Sequence, residues 1–127
     1  MNLVENIIRY SPQRVSSEMS IQDVAKGMFS DRIRALLVKE NENDVGIVTY
    51  TNLANLSITK RIDPETTAIK EIMNSPILTI DHDKTIVEAG ELMLDKGVRH
   101  LAVIKNKKII GMLGMAQVLA HLLTGKG

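Results

Sequence analysis

The sequence contains no cysteine, no tryptophan, one phenylalanine and two tyrosines in 127 residues. Without cysteine there are no thiol nucleophiles, disulfides or thiolate metal sites, so the fold must rest on its core and suits a reducing compartment. Three aromatic rings cannot supply a run of base-stacking platforms. With 16 basic against 15 acidic side chains, the net charge of +1 offers no field to gather nucleic acid. No apolar run approaches the roughly 20 residues of a membrane-spanning helix. Residues 1–6 lack the basic start and apolar centre of a secretion signal. These absences lead us to expect a cytoplasmic protein with neither nucleic acid nor membrane as partner. No Ser/His/acid or paired-carboxylate arrangement stands out, and His82, His100 and His121 show no metal-ligand spacing. Neither an enzyme nor a metal protein is expected.

The apolar content is aliphatic, with 15 Ile, 13 Leu, 10 Val and 7 Met, the material of helix-on-sheet layers. It is also periodic. Shifting the chain by 65 lays residues 15–53 over 80–118 without a gap, and seven of the 39 positions are identical: Ile21/Ile86, Met28/Met93, Arg34/Arg99, Leu36/Leu101, Val38/Val103, Asn41/Asn106 and Gly46/Gly111. Ser20-Ile-Gln-Asp23 and Thr85-Ile-Val-Glu88 each set a hydroxyl three residues before a carboxylate, which marks a helix start. The apolar runs 35–38 and 101–104, the polar turns 39–44 and 105–108, and the runs 45–48 and 109–113 read as paired strands. A second helix follows, through Leu53 and Leu56 or through Val118, Leu119, Leu122 and Leu123. The predicted unit is strand, helix, strand, strand, helix.

Two segments fall outside this repeat. Leu3, Val4, Ile7 and Ile8 form a helical stripe ended by Ser11-Pro12, and the expectation is an N-terminal helix covering core left open by the first repeat. The linker over 60–74 breaks at Asp63-Pro64 and carries Ile69, Ile72 and Met73 as a short amphipathic turn, which reads as a packed connection.

Gly46-Ile-Val-Thr-Tyr-Thr-Asn52 resembles the signature that closes a CBS motif: glycine, two apolar residues, a hydroxyl residue, two variable positions and an aspartate. Residues 81–104, with Thr85-Ile-Val-Glu-Ala, Leu92-Met93 and Gly97-Val-Arg-His-Leu-Ala-Val-Ile104, are similar to the body of the same motif. Two such motifs in tandem resemble a Bateman module, with motif 1 over 11–59, motif 2 over 75–123, and 1–127 as a single module. The resemblance implies an α/β (α+β) fold of two β-α-β-β-α motifs packed sheet to sheet about a pseudo-twofold axis, leaving two clefts. In the family such clefts bind adenine nucleotides or adenosyl compounds. Paired modules associate, and an attached or partner protein reads the change.

For the first cleft the resemblance assigns Thr49 to a phosphate at a helix N-terminus and Asn52 to the position of the ribose-binding aspartate. It also points to Ile47 as an apolar face for the base, Leu78 as backbone contact for the adenine edge, and Arg99 and His100 as phosphate partners. Asn52 departs from the family, since an amide has one acceptor oxygen where a carboxylate has two. The second cleft departs further. Gly114 stands where the hydroxyl belongs and Gln117 where the aspartate belongs, beside Met112, with Gln13 and Arg34 able to contribute. This cleft is expected to be empty or to hold something other than a conventional nucleotide.

Each residue also has a plain reading. Thr49 and Asn52 suit a helix start, Gly46 and Gly111 a close backbone approach in a strand, and Arg34 and Arg99 either a solvated surface or ion pairs with carboxylates such as Asp31 and Asp95. His100 suits an edge strand, and His82 and His121 a loop and a helix surface. The resemblance implies a regulatory module for AMP, ADP, ATP or S-adenosylmethionine that needs no cofactor. Its expected partners are the small adenosyl ligand, a second copy in a homodimer, and an effector protein. The rival reading is a degenerate pair that dimerises or docks a partner without binding nucleotide.

Overall fold

The computed structural model describes residues 2–59 and 61–125; Lys60, at the head of the linker, lies outside the described residues. In chain order the elements are β1 (Arg9–Tyr10), β2 (Arg14–Ser16), α1 (Ile21–Asp31), β3 (Ala35–Glu40), β4 (Asn43–Thr49), α2 (Tyr50–Thr59), β5 (Thr79–Asp81), α3 (Ile86–Lys96), β6 (His100–Lys105), β7 (Lys108–Gly114) and α4 (Met115–Thr124). They divide into two compact units, Gln13–Ile77 and Met1–Pro12 with Leu78–Gly127.

The Gln13–Ile77 unit holds a three-stranded sheet in the order β2-β3-β4, with β2 parallel and β4 antiparallel to β3. Helix α1 begins where Ser20 Oγ accepts the Asp23 N–H at 3.1 Å, satisfying one of the donors a helix start leaves unpaired. It turns Ile21, Val24 and Met28 inward, the i, i+3, i+7 spacing of one helical face. These residues pack with Leu36, Val38, Val48 and Ile69.

The second unit repeats the plan with a four-stranded sheet in the order β1-β7-β6-β5. Thr85 and Glu88 form a reciprocal capping box at the start of α3, and Ile86, Ala89 and Met93 pack with Leu101, Val103 and Leu113. The register shifts at equivalent points of the two ladders, between Val38 and Lys39 and between Val103 and Ile104. Each shift leaves one apolar residue, Val45 or Ile110, as the extra residue of a bulge, and both turn onto the helical core of their unit. Helices α1 and α3 also end alike, in left-handed residues at Arg32 (φ 55°) and Gly97 (φ 67°).

The structure corrects the reading of the two segments placed outside the repeat. Residues 3–8 form no amphipathic α-helix. Val4–Asn6 make a single 3-10 turn and the chain then runs into β1, which pairs antiparallel with β7 through Arg9↔Met112 and Tyr10↔Gly111. This segment completes the core of the second repeat, not the first: Val4 and Ile8 are buried with Ile80, Leu101 and Leu113. The linker is its counterpart. Ile69–Glu71 form a 3-10 turn 65 residues after Val4–Asn6, Ile69 is fully buried in the first repeat's core, and Asn74 bridges Ile47 as Arg9 pairs Met112. The repeat therefore begins near residue 3, and each leading segment packs on the body of the other repeat.

This exchange explains the paired glycines. A Cβ at Gly111 would stand 2.5 Å from the Arg9 carbonyl oxygen and 2.8 Å from Ile8 Cδ1, and one at Gly46 would overlap Met73 and lie 3.0 Å from the Asn74 oxygen. Close backbone approach by the exchanged segment is what each glycine permits. The linker is packed, as expected: Asp63 O accepts the Thr67 N–H at 3.0 Å, and the Ile21 and Gln22 N–H groups bond to Thr67 and Pro64 oxygens at 2.9 and 3.0 Å.

Candidate functional site

In the Gln13–Ile77 unit the junction of β4 and α2 gathers Ile47, Thr49 and Asn52. Strand β4 ends at Thr49 and helix α2 begins at the next residue, so Asn52 is the third helical residue and its side chain reaches back to the helix start. Asn52 Oδ1 accepts from the Thr49 N–H at 2.8 Å and from the Thr49 hydroxyl at 3.0 Å. Its Nδ2 donates to the Ile72 carbonyl at 2.8 Å and to Asn74 Oδ1 at 3.2 Å. The amide orientation is forced, because a backbone N–H only donates and a backbone carbonyl only accepts. Two lone pairs and two N–H donors are all engaged on the side chain of a residue that is 9% exposed.

Ile47 is buried, and its N–H and C=O both bond to Asn74, at 3.0 and 2.8 Å. With Asn55, Leu56, Ile62 and Ile72, Asn52 borders a shallow pocket of about 130 Å³. Gln13 and Arg34 belong to the same unit. The Gln13 carbonyl accepts from the Leu37 N–H at 3.0 Å, and Arg34 is exposed just before β3.

The second unit gathers Leu78, Arg99, His100, Met112, Gly114 and Gln117. The Leu78 carbonyl accepts from the Ala102 N–H at 3.1 Å, the counterpart of the Gln13 bond, and its side chain packs on the unit's core. Arg99 is exposed, and its carbonyl accepts from Met115 N–H at 2.8 Å, which fixes the start of α4. His100 opens β6 opposite Gly114 in the ladder, while Met112 is buried opposite Arg9 and Ala102. Gln117 Oε1 accepts from the Gly114 N–H at 2.7 Å. A Cβ on Gly114 would lie 2.6 Å from that oxygen. The two departures from the signature are therefore one fitted pair: the longer amide occupies the space a hydroxyl residue would need.

The plain readings fare unevenly. Of the two given for Arg34 and Arg99, the solvated one matches the structure: both are exposed, and among the described residues neither forms an ion pair, so pairing with Asp31 or Asp95 is not observed. His82 is more than a loop residue: its Nδ1 lies 3.0 Å from Glu5 Oε2, tying the 3-10 turn of residues 4–6 to the loop before α3. His121 is half-buried on α4, and its Nδ1 is buried without a hydrogen-bond partner among the described residues. Sequence reasoning missed Ile72 and Asn74, the groups that hold Asn52. A signal existed in Val4/Ile69, Ile7/Ile72 and Ile8/Met73, which fall in register at the same shift of 65, although Pro12 and Pro76 do not.

Two repeats of this topology, each closed by a glycine-bearing strand and a capped helix start, define a tandem α/β module. The CBS-domain family model matches residues 4–58 and 69–124, two stretches whose starts are again 65 residues apart, and the chain belongs to that family. It is 29% identical over 115 residues to the protein MK0525 of Methanopyrus kandleri, matching 90% of this chain and 57% of that one. The chain thus spans little more than half the length of that relative. Among solved structures, the CBS domain NE2398 superposes with a TM-score of 0.89 at 26% identity, covering 98% of this chain and all of that one. The CBS domain pair of MJ0100, solved with 5′-methylthioadenosine and S-adenosyl-L-methionine, superposes with a TM-score of 0.84 at 22% identity, covering 100% and 99% of the two chains. No helix among the described residues is long and apolar enough to cross a membrane.

Proposed function

We propose that the chain is a regulatory module that binds an adenine nucleotide or an adenosyl compound, and that two copies associate so that a partner protein reads its occupancy. The observation that supports this reading is the β4–α2 junction, where Thr49 and Asn52 stand hydrogen-bonded together at a helix start, the two positions that the resemblance assigns to phosphate and ribose. A helix start presents backbone N–H groups and a positive dipole end, which favour an anionic or strongly polar ligand group. The CBS pair of MJ0100, which shares the fold, was solved with two adenosyl compounds. Catalysis is not part of this reading.

Isothermal calorimetry against AMP, ADP, ATP and S-adenosylmethionine tests it, with native mass spectrometry reporting retained ligand and copy number together. Saturable binding is expected for at least one compound. Absence of heat with every compound at millimolar concentration would overturn the reading.

A second reading, a module that dimerises or docks a partner without nucleotide, is favoured by the β7–α4 junction. There the Gly114 N–H is already taken by Gln117 and no hydroxyl is present. A dimer whose stability is unmoved by every adenine compound would support it.

A further inference from the structure

We propose that Asn52 is a latch: its amide holds the connector segment Ile72–Asn74 to the start of α2, and a ligand hydroxyl can accept a hydrogen bond from that amide only when the latch is released. The ligand part of this proposal rests on the functional reading above. The latch itself rests on geometry. One short side chain makes four hydrogen bonds, two to Thr49 and two to the connector, and has no further lone pair or N–H to offer.

A carboxylate at this position would keep the bonds from Thr49 but could donate nothing. It would set a negative oxygen against the Ile72 carbonyl, 2.8 Å away, two acceptors facing each other. Asparagine is therefore the residue of this shape that closes the network. The departure from the family's aspartate exchanges an open acceptor for a tie to the connector.

The tie is local to this repeat. At the equivalent junction Gln117 bonds to Gly114, while the equivalent leading segment is held by β1–β7 pairing and by the contact between Glu5 and His82. Asn74 is also bonded to Ile47 through both backbone groups, so Asn52 and Ile47 grip the same few residues from two elements. With the latch closed, the pocket bordered by Asn52 and Ile72 is about 130 Å³. That falls below the roughly 300 Å³ at which small-molecule sites begin. A ligand hydroxyl that accepts from the Asn52 amide must then take Nδ2–H from Ile72 or Asn74, so its binding is transmitted to the connector.

The test uses the full chain, with Asn74→Ala removing one latch acceptor and Asn52→Asp removing both latch donors. The readouts are hydrogen exchange at the Ile47 and Asn74 amides, the side-chain amide signals of Asn52, and calorimetry with AMP and S-adenosylmethionine. Asn74→Ala is expected to speed exchange at both backbone amides and to tighten binding about fivefold, the equivalent of one hydrogen bond. Asn52→Asp should speed exchange further, and ligand added to the wild type should deprotect the Asn52 amide protons. Binding seen in Asn74→Ala but not in the wild type would also support the latch. Unchanged exchange in both variants would overturn it, as would bound ligand with the Asn52 amide still protected and affinity unmoved by Asn74→Ala. Either result leaves the functional reading standing. No binding by any of the three proteins overturns the functional reading and the competition together.

Discussion

Replacing Gly111 by alanine puts the exchanged-segment architecture to a quantitative test. The new methyl carbon would stand 2.5 Å from the Arg9 carbonyl oxygen, 2.8 Å from Ile8 Cδ1 and 3.2 Å from the Arg9 carbonyl carbon. Two of these three atoms are backbone of β1, itself paired to β7 through Tyr10↔Gly111, so no side-chain rotation relieves the contact. Overpacking against atoms that cannot yield costs toward the upper part of the usual range, about 2–3 kcal/mol. With an unfolding entropy near 2.1 cal/mol/K per residue, this lowers the melting temperature by about 7–11 °C.

Gly46→Ala meets the flexible thioether of Met73 first and the Asn74 oxygen at 3.0 Å. Because Met73 can swing aside, the loss should be about 1 kcal/mol. Gly27, inside α1, has nothing within 4 Å of its added Cβ, and Gly27→Ala should stabilise by about 0.5–1 kcal/mol through helix propensity alone. Thermal and urea unfolding followed by circular dichroism would rank the three variants, and hydrogen exchange at Tyr10 would report loosening of β1 in Gly111→Ala. A Gly111→Ala protein melting within about 2 °C of the wild type, or a larger loss for Gly46→Ala, would refute the reasoning.

Two further expectations follow from the helix ends. Arg32 ends α1 in the left-handed region at φ 55°, where Gly97 ends α3; Arg32→Gly should raise stability by about 0.5–1 kcal/mol in urea unfolding, and a loss would contradict it. At the start of α3, the Thr85 N–H and then its hydroxyl bond to Glu88 and, with Lys84 nearby, hold its carboxyl below the ordinary value of 4.5. A group depressed on folding stabilises the fold above the ordinary carboxylate range, and that contribution is lost as the pH falls through the lowered value. Carbon-detected NMR titration should place Glu88 below an unstructured glutamate. A titration at or above 4.5, or the same acid profile in Glu88→Gln, would contradict the assignment.

Most of each repeat was legible in the sequence because its signals are local. A hydroxyl three residues before a carboxylate made Ser20 and Thr85 visible as helix starts. The i, i+3, i+7 spacing picked out Ile21, Val24 and Met28 as a core face. The apolar runs around Leu36–Val38 and Leu101–Val103 announced adjacent strands. The 65-residue shift, with the residues of the signature, carries the resemblance to the family in the sequence itself.

What the tertiary structure alone decided is which segment packs on which repeat, and what the signature side chains bond to. Nothing local distinguishes Val4 packing on its own repeat from Val4 packing on the next. The choice is made by long-range contacts, Arg9 with Met112 and Ile8 over Gly111 in one unit, Asn74 with Ile47 and Met73 over Gly46 in the other. The resemblance to the family signature likewise placed Asn52 at the aspartate's position, but it could not show that Ile72 and Asn74, twenty and twenty-two residues away, consume its donors. A hydrogen bond is specified by the three-dimensional placement of both partners, and a one-dimensional pattern carries only one of them.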